Sequence, residues 1–490
     1  MKASNHHAYV YALPTLLALM TGAAVFACGP TSAQSTDGGV TSDASSNADG
    51  ASDNDATTSD GGTSDGGSKL RNEKFRDVAL GARTTCAVYN DGRLFCFGGN
   101  DSGQLGDGTT TDRGGEAGSM ATLQAVDLGA GVKVTQVALG DSHVCALLAT
   151  GAVKCWGSAE QGQLGLEDNQ SRGKQPGQMG SALPELKLGN GRTALKLAAG
   201  VDFTCALLDD KSVKCWGRNG SGQLGQGSNA VYVGRSPGDM GDALPKVDLG
   251  AGRTVKDIVA GQAHACALLD DDTVKCWGNN QFGQLALGDT DARGRKAADM
   301  GANLPAASIG TGRKAKHIFA GGNHSCAVLD DATVRCWGAN AGGNLGTETE
   351  LGYGTTPANI GDAIPKATFG QGRSVVEMAL GLGFSCAKLD DGKLKCFGDN
   401  DDGQLCQGDK LQRGSSTGSM GDALPYAKLG SGRTLDFAAA GPQHACGVFS
   451  DKSLRCWGIN GAGQLGLGDR NPRGGAPGDV GDTLAAAPLP

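Results

Sequence analysis

The sequence is poor in aromatic residues and has no excess of basic charge. Phe, Trp and Tyr make up 5% of its 490 residues, whereas Gly alone occurs 83 times. A chain with this much Gly is typical of many short strands joined by turns. Lys and Arg number 43 against 51 Asp and Glu, a formal net charge of -8, and they are spread along the chain. Because a nucleic-acid binder normally carries a basic patch, no nucleic-acid partner is expected.

Familiar catalytic motifs are also absent from the sequence. It contains no Ser nucleophile elbow, no zinc-binding helix motif and no Asp box of the sialidase type. Its paired aspartates fall between short apolar runs, where Asp is a turn former; they are Asp209/Asp210, Asp270/Asp271, Asp330/Asp331 and Asp390/Asp391. We therefore predict that the protein is not an enzyme and holds no cofactor and no metal. A carbohydrate-active or hydrolytic enzyme is the alternative.

The long apolar run of the chain lies at its N-terminus, in residues 9–27. A basic start at Lys2, this apolar core and small residues before Cys28 are typical of an export signal. The segment from Val25 to Cys28 resembles the signal box of bacterial lipoproteins. The resemblance implies cleavage before Cys28, a lipid on Cys28 and sorting to the outer membrane. An ordinary secretory signal and a single membrane anchor are the alternatives.

Residues 28–70 consist almost entirely of Ser, Thr, Asp, Asn, Gly and Ala. Such a segment cannot form an apolar core, so we predict a disordered, acidic tether. The sequence thus predicts three parts: a lipoprotein signal peptide at residues 1–27, the tether at 28–70, and a folded domain at 71–490.

One stretch recurs seven times and is clearest at residues 260–285. There the runs HACALL and TVKCW flank three aspartates, and their pattern predicts a β-hairpin. Cys266 and Cys276 are equidistant from Asp271, so the hairpin register places them opposite each other. The seven hairpins are expected near residues 82–98, 141–157, 201–217, 262–278, 322–338, 382–398 and 442–458.

Fourteen of the 16 cysteines form pairs with one constant separation, ten residues. Facing cysteines in this register are close enough for a disulfide, whereas two ligands per hairpin are too few for zinc. Reduced structural thiols are the other alternative. The predicted disulfides are Cys86–Cys96, Cys145–Cys155, Cys205–Cys215, Cys266–Cys276, Cys326–Cys336, Cys386–Cys396 and Cys446–Cys456. Cys406 remains unpaired, either as a small apolar residue in a turn or as a reactive thiol.

The repeat period of 59 to 61 residues predicts a β-propeller. Each unit offers four strand candidates, such as PKVDLG and TVKDIVAG, joined by the turn at 250–253, and then the hairpin. The first repeat begins with a second strand at 74–81, and the chain ends with a first strand at 484–489. We therefore predict an all-β, seven-bladed β-propeller with four-stranded antiparallel blades. In this prediction the C-terminal strand joins the N-terminal blade and closes the ring.

The repeated motif G-x-x-H-x-C-A-L-L-D-D-x-x-V-K-C-W-G-x-N-x-x-G-Q-L-G resembles the regulator of chromosome condensation repeat family over residues 75–490. The resemblance implies a seven-bladed propeller and a capacity to bind proteins. It does not imply that this chain has the nucleotide exchange activity of the eukaryotic member, because the chain is expected to be exported and is acidic. Ala286 and Cys406 replace the second Gly of G-Q-L-G, Asn344 replaces its Gln, and the loop at 347–359 lacks an Arg-Gly.

A single slot two residues before the first Cys of each pair holds either His or another residue. The occupants in chain order are Thr84, His143, Phe203, His264, His324, Phe384 and His444. A metal ring would need His in adjacent repeats, yet Phe interrupts the series. We therefore predict that these histidines pack between blades.

Strand direction places the G-x-x-H turns and the W-G-x-N-x-x-G loops on one face of the ring, with the Asp turns on the other. The first face differs between repeats, whereas the second is nearly uniform. Since loops on a rigid scaffold carry recognition, we predict binding of an unknown protein partner through the loop-rich face. Drift at exposed loops is the alternative. The candidate contact residues are Arg83, Asp101, Asp141, Glu160, Asp202, Tyr232, Gln262, Phe282, Asn323, Leu382, Gln443 and Ile459.

The sequence therefore predicts a monomeric interaction module of the cell envelope. It is expected to be exported and to touch the membrane only through the lipid on Cys28. A structural envelope component without a specific ligand is a further alternative.

Overall fold

Residues 72–490 are described by the computed structural model, and the predicted signal peptide at 1–27 and tether at 28–70 lie outside this range. The described residues fold into seven antiparallel sheets. We number these blades 1 to 7 in chain order. In each blade three successive strands pair in chain order, and inner strands of neighbouring blades contact one another. The predicted all-β architecture of seven blades is confirmed.

Each blade contributes an inner, a middle and a third strand of five or six residues. The inner strands are Phe75–Leu80, Val134–Leu139, Ala194–Ala199, Val255–Ala260, Ala315–Ala320, Val375–Leu380 and Leu435–Ala440. The middle strands are Thr84–Tyr89, His143–Leu148, Phe203–Leu208, His264–Leu269, His324–Leu329, Phe384–Leu389 and His444–Phe449. The third strands are Leu94–Gly98, Val153–Gly157, Val213–Arg218, Val274–Gly278, Val334–Gly338, Leu394–Gly398 and Leu454–Gly458.

Short elements complete the regular structure. Two further strands, Tyr232–Val233 and Lys366–Ala367, lie at the outer edges of blades 3 and 5. Eight 3-10 helices of three residues occur in the described region, at Gly180–Ala182, Ala297–Asp299, Gly301–Asn303, Pro357–Asn359, Gly361–Ala363, Gly421–Ala423, Pro477–Asp479 and Gly481–Thr483. No helix within residues 72–490 has the length and apolar character that a membrane span requires.

The middle strand of a blade is covered on both sides. In blade 4, His264–Leu269 is buried along its whole length. A strand enclosed on both sides needs no polar alternation, which accounts for the continuous run HACALL. The inner strand Val255–Ala260 alternates less regularly, with Val255 buried and Lys256 exposed. The apolar core therefore lies between neighbouring blades, as clusters that each draw on two or more sheets.

A fourth segment lies along the outer edge of each third strand, but it follows the hairpin instead of preceding it. The N–H of Val247 donates to the carbonyl of Val213 at 2.8 Å, so PKVDLG belongs to blade 3. TVKDIVAG contains the inner strand of blade 4. The expectation that the turn at 250–253 joins two strands of one blade is therefore wrong, because this turn connects two blades. This segment is a regular strand in blade 5, at Lys366–Ala367, and in the other six blades it is too irregular to count as one, so the predicted four-stranded blades are not general.

The C-terminal segment lies where the two ends of the ring meet. The N–H of Ala487 donates to the carbonyl of Leu454 at 2.9 Å, so residues 484–489 complete blade 7. Its backbone therefore does not pair with blade 1, which corrects that detail of the predicted closure. Its side chains do pack there: Ala487 shares an apolar cluster with Phe75, and Tyr89 donates its hydroxyl to the carbonyl of Pro490 at 2.9 Å. The ring closes through this packing and through the hydrogen bond from the N–H of Gly468 to the carbonyl of Gly114 at 2.8 Å, which is repeated at the other blade junctions.

The seven predicted disulfides are present. Each joins register partners on the middle and third strands, as Cys266 and Cys276 do with a Cα–Cα distance of 4.1 Å. Cys406 is the free cysteine of the described residues, is fully buried and has φ +55°. Burial also raises the pKa of its thiol, and these features favour the small apolar residue over the reactive thiol.

A buried aromatic ring after the second Cys links most blades to the preceding one. The indole N–H of Trp277 donates to the carbonyl of Gln223, in the loop after blade 3, at 3.0 Å. The same bond is made by Trp156, Trp216, Trp337 and Trp457. Phe97 and Phe397 fill this slot in blades 1 and 6 and are equally buried.

Candidate protein interface

The two faces of the ring carry different parts of the repeat. Hairpin turns between middle and third strands lie beside the G-x-G-R turns, because Arg253 Nε lies 3.1 Å from Asp270 Oδ1; we call this side the Asp-turn face. The G-x-x-H turns lie beside the loops that follow the third strands, since the N–H of Asn279 donates to Ala263 O at 2.8 Å. We call this side, formed by the G-x-x-H turns and the W-G-x-N-x-x-G loops, the variable face. The predicted division into two faces is confirmed.

A shallow central depression of about 110 Å³ opens on the variable face. All seven blades line it, each with the end of its inner strand and the first residues of its G-x-x-H turn. Seven glycines form its rim, at Gly81, Gly140, Gly200, Gly261, Gly321, Gly381 and Gly441. Such a lining requires the seven turns to meet around one axis, as in a closed ring.

The rim glycines permit the turns to approach one another closely. A Cβ on Gly200 would lie 2.5 Å from the carbonyl oxygen of Gly261, a distance that real side chains do not reach. A Cβ on Gly441 would lie 2.6 Å from the carbonyl oxygen of Gly81, so the series of contacts continues from blade 7 to blade 1. Gly is therefore needed here for space.

Backbone hydrogen bonds also tie neighbouring turns together. The N–H of Val201 donates to Gln262 O at 3.1 Å, and that of Gln262 donates to Gly322 O at 2.9 Å. These bonds use main-chain groups alone and therefore require no particular side chain in the turns. The variable face therefore has a fixed backbone on which exposed side chains differ from blade to blade.

Four buried histidines lie directly beneath these turns. In blade 4, His264 Nε2 lies 2.8 Å from Ser325 Oγ of blade 5. The Ser325 hydroxyl donates to the carbonyl of Gln284, so it accepts the proton of His264 Nε2. Equivalent contacts join His143 to Thr204, His324 to Ser385, and His444 to Thr85. The predicted packing role between blades is confirmed.

The ionisation of these histidines follows from their burial. Burial lowers the pKa of His143 and His264 to about 4 and that of His324 and His444 to about 3. Their Nδ1 atoms have no hydrogen-bond partner within the described residues. Each histidine is thus a neutral link between two blades at ordinary pH.

Acidic side chains gather on the variable face at blades 2 and 3. Burial, with a contribution from Asp202, raises the pKa of Asp141 to about 6. Burial also raises the pKa of Asp202, where Glu160 adds to the effect and Arg218 opposes it. Arg218 Nη1 lies 3.6 Å from Asp202 Oδ2. This part of the face carries the carboxylates of Asp141, Glu160 and Asp202, with the cations Arg218 and Arg235 beside it.

Exposed apolar side chains occupy blades 3 to 6 of the same face. Phe282 is 41% exposed and Leu382 38%, which is unusual for such large apolar residues. Leu382 lies against Gly322 of the neighbouring blade. Tyr232 is 37% exposed, and the Arg235 guanidinium lies 4.9 Å from its ring centre. The face thus combines an acidic part with an apolar part.

Eleven of the twelve candidate residues lie in the turns and loops of the variable face, Tyr232 being the exception, and none of the twelve is buried. Arg83, Asp101, Glu160, Tyr232, Phe282, Leu382 and Gln443 are exposed, and Asp141, Asp202, Gln262, Asn323 and Ile459 are partly so. The central depression brings together Asp141, Gln262 and Leu382. Three other contacts within the set are the Arg83–Asp101 ion pair, the 3.0 Å bond from Asn323 Nδ2 to Gln262 Oε1, and the backbone bond from Ile459 to Gln443. Tyr232 stands apart on the outer edge of blade 3.

Sequence reasoning missed a set of buried and half-buried cations. The residue before the second Cys is basic in six blades, as Lys154, Lys214, Lys275, Arg335, Lys395 and Arg455, and Phe95 replaces it in blade 1. Lys275 Nζ donates to the carbonyls of Leu249 and Gly301, both at 2.9 Å, and so holds the outer connection onto its blade. The recurrence of a basic residue directly before the second Cys was the sequence signal that could have predicted them. Within residues 72–490, no group of three or more His, Cys, Asp or Glu is arranged to hold a metal.

Comparison with known proteins identifies the repeat. The regulator of chromosome condensation (RCC1) repeat matches residues 75–104, 134–163, 195–223, 255–284, 315–344, 375–404 and 438–464, one match per blade. A second description of the RCC1 repeat matches residues 91–147, 212–268 and 271–328. The chain belongs to the RCC1 repeat family.

Two RCC1-type relatives show how widely this family is distributed. Ultraviolet-B receptor UVR8 of Arabidopsis thaliana is 31% identical over 345 residues, which cover 69% of this chain and 68% of UVR8. E3 ubiquitin-protein ligase HERC2 of Homo sapiens is 30% identical over 380 residues, or 74% of this chain but 7% of HERC2. The matched region thus makes up about two thirds of one relative and a small part of the other.

Solved structures support the RCC1 fold. Yeast RCC1 (Prp20), solved with Kap60, has a TM-score of 0.60 at 19% identity, covering 88% of this chain and 89% of that one. Prp20p of Saccharomyces cerevisiae, described with its binding to Gsp1p and histones, has a TM-score of 0.59 at 19% identity, covering 82% and 86%. At this identity the likeness concerns the fold alone.

Proposed function

We propose that the protein is an exported, lipid-anchored interaction module of the cell envelope that binds a protein partner through the variable face. One observation carries this proposal: the backbone of the face is fixed around the whole ring, while its exposed side chains differ in every blade. Rigid scaffolds with variable loops are suited to recognition. The binding of Kap60 and Gsp1p by yeast Prp20 supports the same class of function.

The composition of the variable face suggests how a partner is held. Phe282 and Leu382 offer apolar anchors, and the acidic residues Asp141, Glu160 and Asp202 offer a region that complements positive charge. Interfaces commonly combine a few apolar anchors with a polar surround. We therefore expect a partner that presents an apolar segment beside basic residues.

Crosslinking in the native cells tests this function. Tagged full-length protein is crosslinked, purified under denaturing conditions and examined for attached proteins. We expect Phe282→Asp with Leu382→Asp to lose the main crosslinked partner, because two anchors become charged. Thr150→Asp is the matched control, since Thr150 is exposed on the Asp-turn face and Asp retains the acceptor for the N–H of Ala152. Equal recovery of every partner from both variants would contradict the proposal.

Export and lipid anchoring require their own test. Seven disulfides suit an oxidising compartment, and Cys28 follows a lipoprotein-type signal. Replacing Cys28 with Ser should abolish incorporation of labelled fatty acid and move the protein from the membrane fraction to the soluble fraction. Unchanged membrane association would exclude the lipid anchor. Turnover detected in glycan or hydrolase screens would instead favour the enzymatic alternative.

A further inference from the structure

One position of the repeat has a positive φ, and in two blades it is occupied by Glu instead of Gly. Five residues after the first Gly of G-Q-L-G, two blades have Glu at positive φ, Glu167 at +60° and Glu348 at +59°. The other five blades have Gly there, namely Gly108, Gly227, Gly288, Gly408 and Gly468. A side chain with positive φ is costly, about 1 kcal/mol or more. Something at Glu167 and Glu348 must offset this cost.

The carboxylates of both glutamates bind the next blade. Glu167 Oε1 accepts the N–H groups of Gly238 at 2.8 Å and Met240 at 3.3 Å, while Oε2 lies 2.6 Å from Lys187 Nζ. The hydrogen bond from Lys187 is the main cause of a lowered pKa at Glu167. Glu348 Oε1 accepts the N–H of Met420 at 3.0 Å. The groove between two blades therefore accepts a carboxylate, in two independent places of the same chain.

The equivalent groove between blades 1 and 2 has no such side chain. Gly108 stands in place of Glu167, and a cavity of about 350 Å³ opens beside it. Gly177 and Met179 occupy the positions of Gly238 and Met240 and line this cavity. Their N–H groups have no acceptor among residues 72–490. The donors that hold the Glu167 carboxylate are thus repeated here without an occupant from the chain.

A cation with unused donors lines the same cavity. Arg113 contacts Asp107 through Nε at 3.1 Å, and its two Nη atoms have no acceptor within the described residues. In blade 2 the corresponding Arg172 directs both Nη atoms to Asp168, with Nη2 2.7 Å from Oδ2. The difference arises because Thr109 stands in blade 1 at the position of Asp168.

Of the two carboxylates that line the cavity, Asp107 has both oxygens bonded by the protein and Asp127 has one. Asp107 accepts the N–H and the hydroxyl of Thr109 and the side-chain amide of Asn100, in addition to its contact with Arg113. Asp127 accepts the N–H of Gly129 at 2.9 Å. The unpartnered donors of the described lining, two N–H groups and the two Nη groups of Arg113, therefore outnumber the one free carboxylate oxygen, Asp127 Oδ2.

We propose that the groove between blades 1 and 2 binds the carboxylate end of an aliphatic ligand. The N–H groups of Gly177 and Met179 and the guanidinium of Arg113 hold the carboxylate, as charge-assisted hydrogen bonds. Leu123 and Val126 supply apolar contact for the aliphatic chain. A cavity of this size suits a small ligand or one side chain. The site is separate from the variable face and does not depend on the proposed partner.

Calorimetric titration of purified full-length protein in detergent tests the site. Glutarate is the probe, and glutaramide, which has the same shape without charge, is the control. We expect saturable binding of glutarate at one site and at least tenfold weaker binding of glutaramide. Arg113→Gln should weaken glutarate binding at least tenfold. Equal binding of the two probes, or no effect of Arg113→Gln, would overturn the proposal.

Exchanging Gly and Glu between residues 108 and 167 gives a second test, in which one substitution should remove a site and the other should add one. Gly108→Glu supplies an internal carboxylate and should abolish glutarate binding, although its Cβ would lie 3.2 Å from Pro176 N and requires a small adjustment. Glu167→Gly frees Lys187 and the N–H groups of Gly238 and Met240, with Lys187 as the cation in place of Arg113, and should create a second site, so that two glutarate molecules bind per chain. One site in Glu167→Gly would contradict the argument from equivalence, whatever Gly108→Glu does.

The source of the carboxylate is distinguished by a second probe. A peptide with one internal Glu is compared with glutarate and with the same peptide carrying Gln. Tighter binding of the Glu peptide assigns the site to an acidic side chain of a protein, and tighter binding of glutarate assigns it to a small acid. Absence of binding by all three probes would remove the site.

Discussion

The Asp-turn face and the variable face are built from the same repeat, but they are held together by different groups. On the Asp-turn face, Arg253 pairs with both Asp270 and Asp271, and the same grouping recurs at Arg192, Arg313 and Arg373. On the variable face, glycine backbones and buried histidines make the contacts between blades. Where exposed side chains make the structural contacts, those side chains must repeat. Where backbone and buried groups make the contacts, the exposed side chains are free to differ.

The largest expected effect compares two glycines on the two faces. Gly261→Ala on the variable face would place its Cβ against the carbonyl oxygen of Gly321 and the ring of His264. Overpacking of this kind should cost about 3 kcal/mol of unfolding free energy. Gly252→Ala on the Asp-turn face has φ +74° but no atom near its Cβ, so it should cost about 1 kcal/mol. Denaturant unfolding of both variants measures the difference, and equal costs would refute the contrast between the faces.

A second comparison concerns acid stability. The pKa of His324 is lowered to about 3 by burial, against an ordinary value of 6.5. The stability that depends on its neutral form is complete above pH 6.5 and is lost as pH falls towards 3, because the unfolded chain binds the proton more readily. His324→Leu should therefore lower the Tm at pH 7.5 and make the loss of Tm between pH 6.5 and 4.5 shallower than in the wild type.

The exposed histidine His317 offers the matched control. His317→Leu should leave the slope of Tm against pH unchanged. An equally shallow slope in both variants would show that the buried links between blades do not determine acid stability.

Two aspartates should respond to pH with opposite signs. The raised pKa of Asp141, about 6, means that its charged form destabilises the fold, so Asp141→Asn should raise the Tm at pH 8 and have no effect below pH 4. Hydrogen bonds from Thr333 lower the pKa of Asp331 on the Asp-turn face. Asp331→Asn should lower the Tm at pH 8. Thermal unfolding at the two pH values checks both signs, and the same sign for both would contradict the contrast.

The smallest effect is expected for an exposed ion pair. Arg253→Gln removes the contacts with Asp270 and Asp271, whose side chains are 40% and 39% exposed. Such pairs contribute about 0.5 kcal/mol and are screened by salt. The difference from the wild type should disappear in 1 M NaCl. A salt-independent loss would indicate a packing role for the Arg253 side chain.

The hairpins could be predicted from the sequence because their information is local. Cys266 and Cys276 are equidistant from one turn, and this alone sets their register. The blade to which the fourth segment belongs is not local information. PKVDLG lies between two hairpins, and the repeat period is compatible with its pairing with the hairpin before it or the hairpin after it. The hydrogen bond from Val247 to Val213 decides it, and no local pattern reports that bond.

The candidate surface was predictable in outline and not in detail. Strand direction assigns Asp141 and Asp202 to the same face, but the effect of Asp202 on the pKa of Asp141 depends on the distance between blades 2 and 3. The carboxylate of Glu167 meets Gly238, 71 residues further along the chain. In the sequence, Glu167 is only a loop residue that departs from the Gly of most repeats, because the repeat does not show which groups lie opposite it in the groove.

The central claim is that the variable face is the recognition surface. The most direct test places a photoreactive amino acid at single positions of the full-length protein in its own cells. Phe282 represents the variable face and Thr150 the Asp-turn face. We predict an adduct of one defined mass after irradiation at position 282 and none at position 150. An adduct at position 150 without one at position 282 would contradict the account.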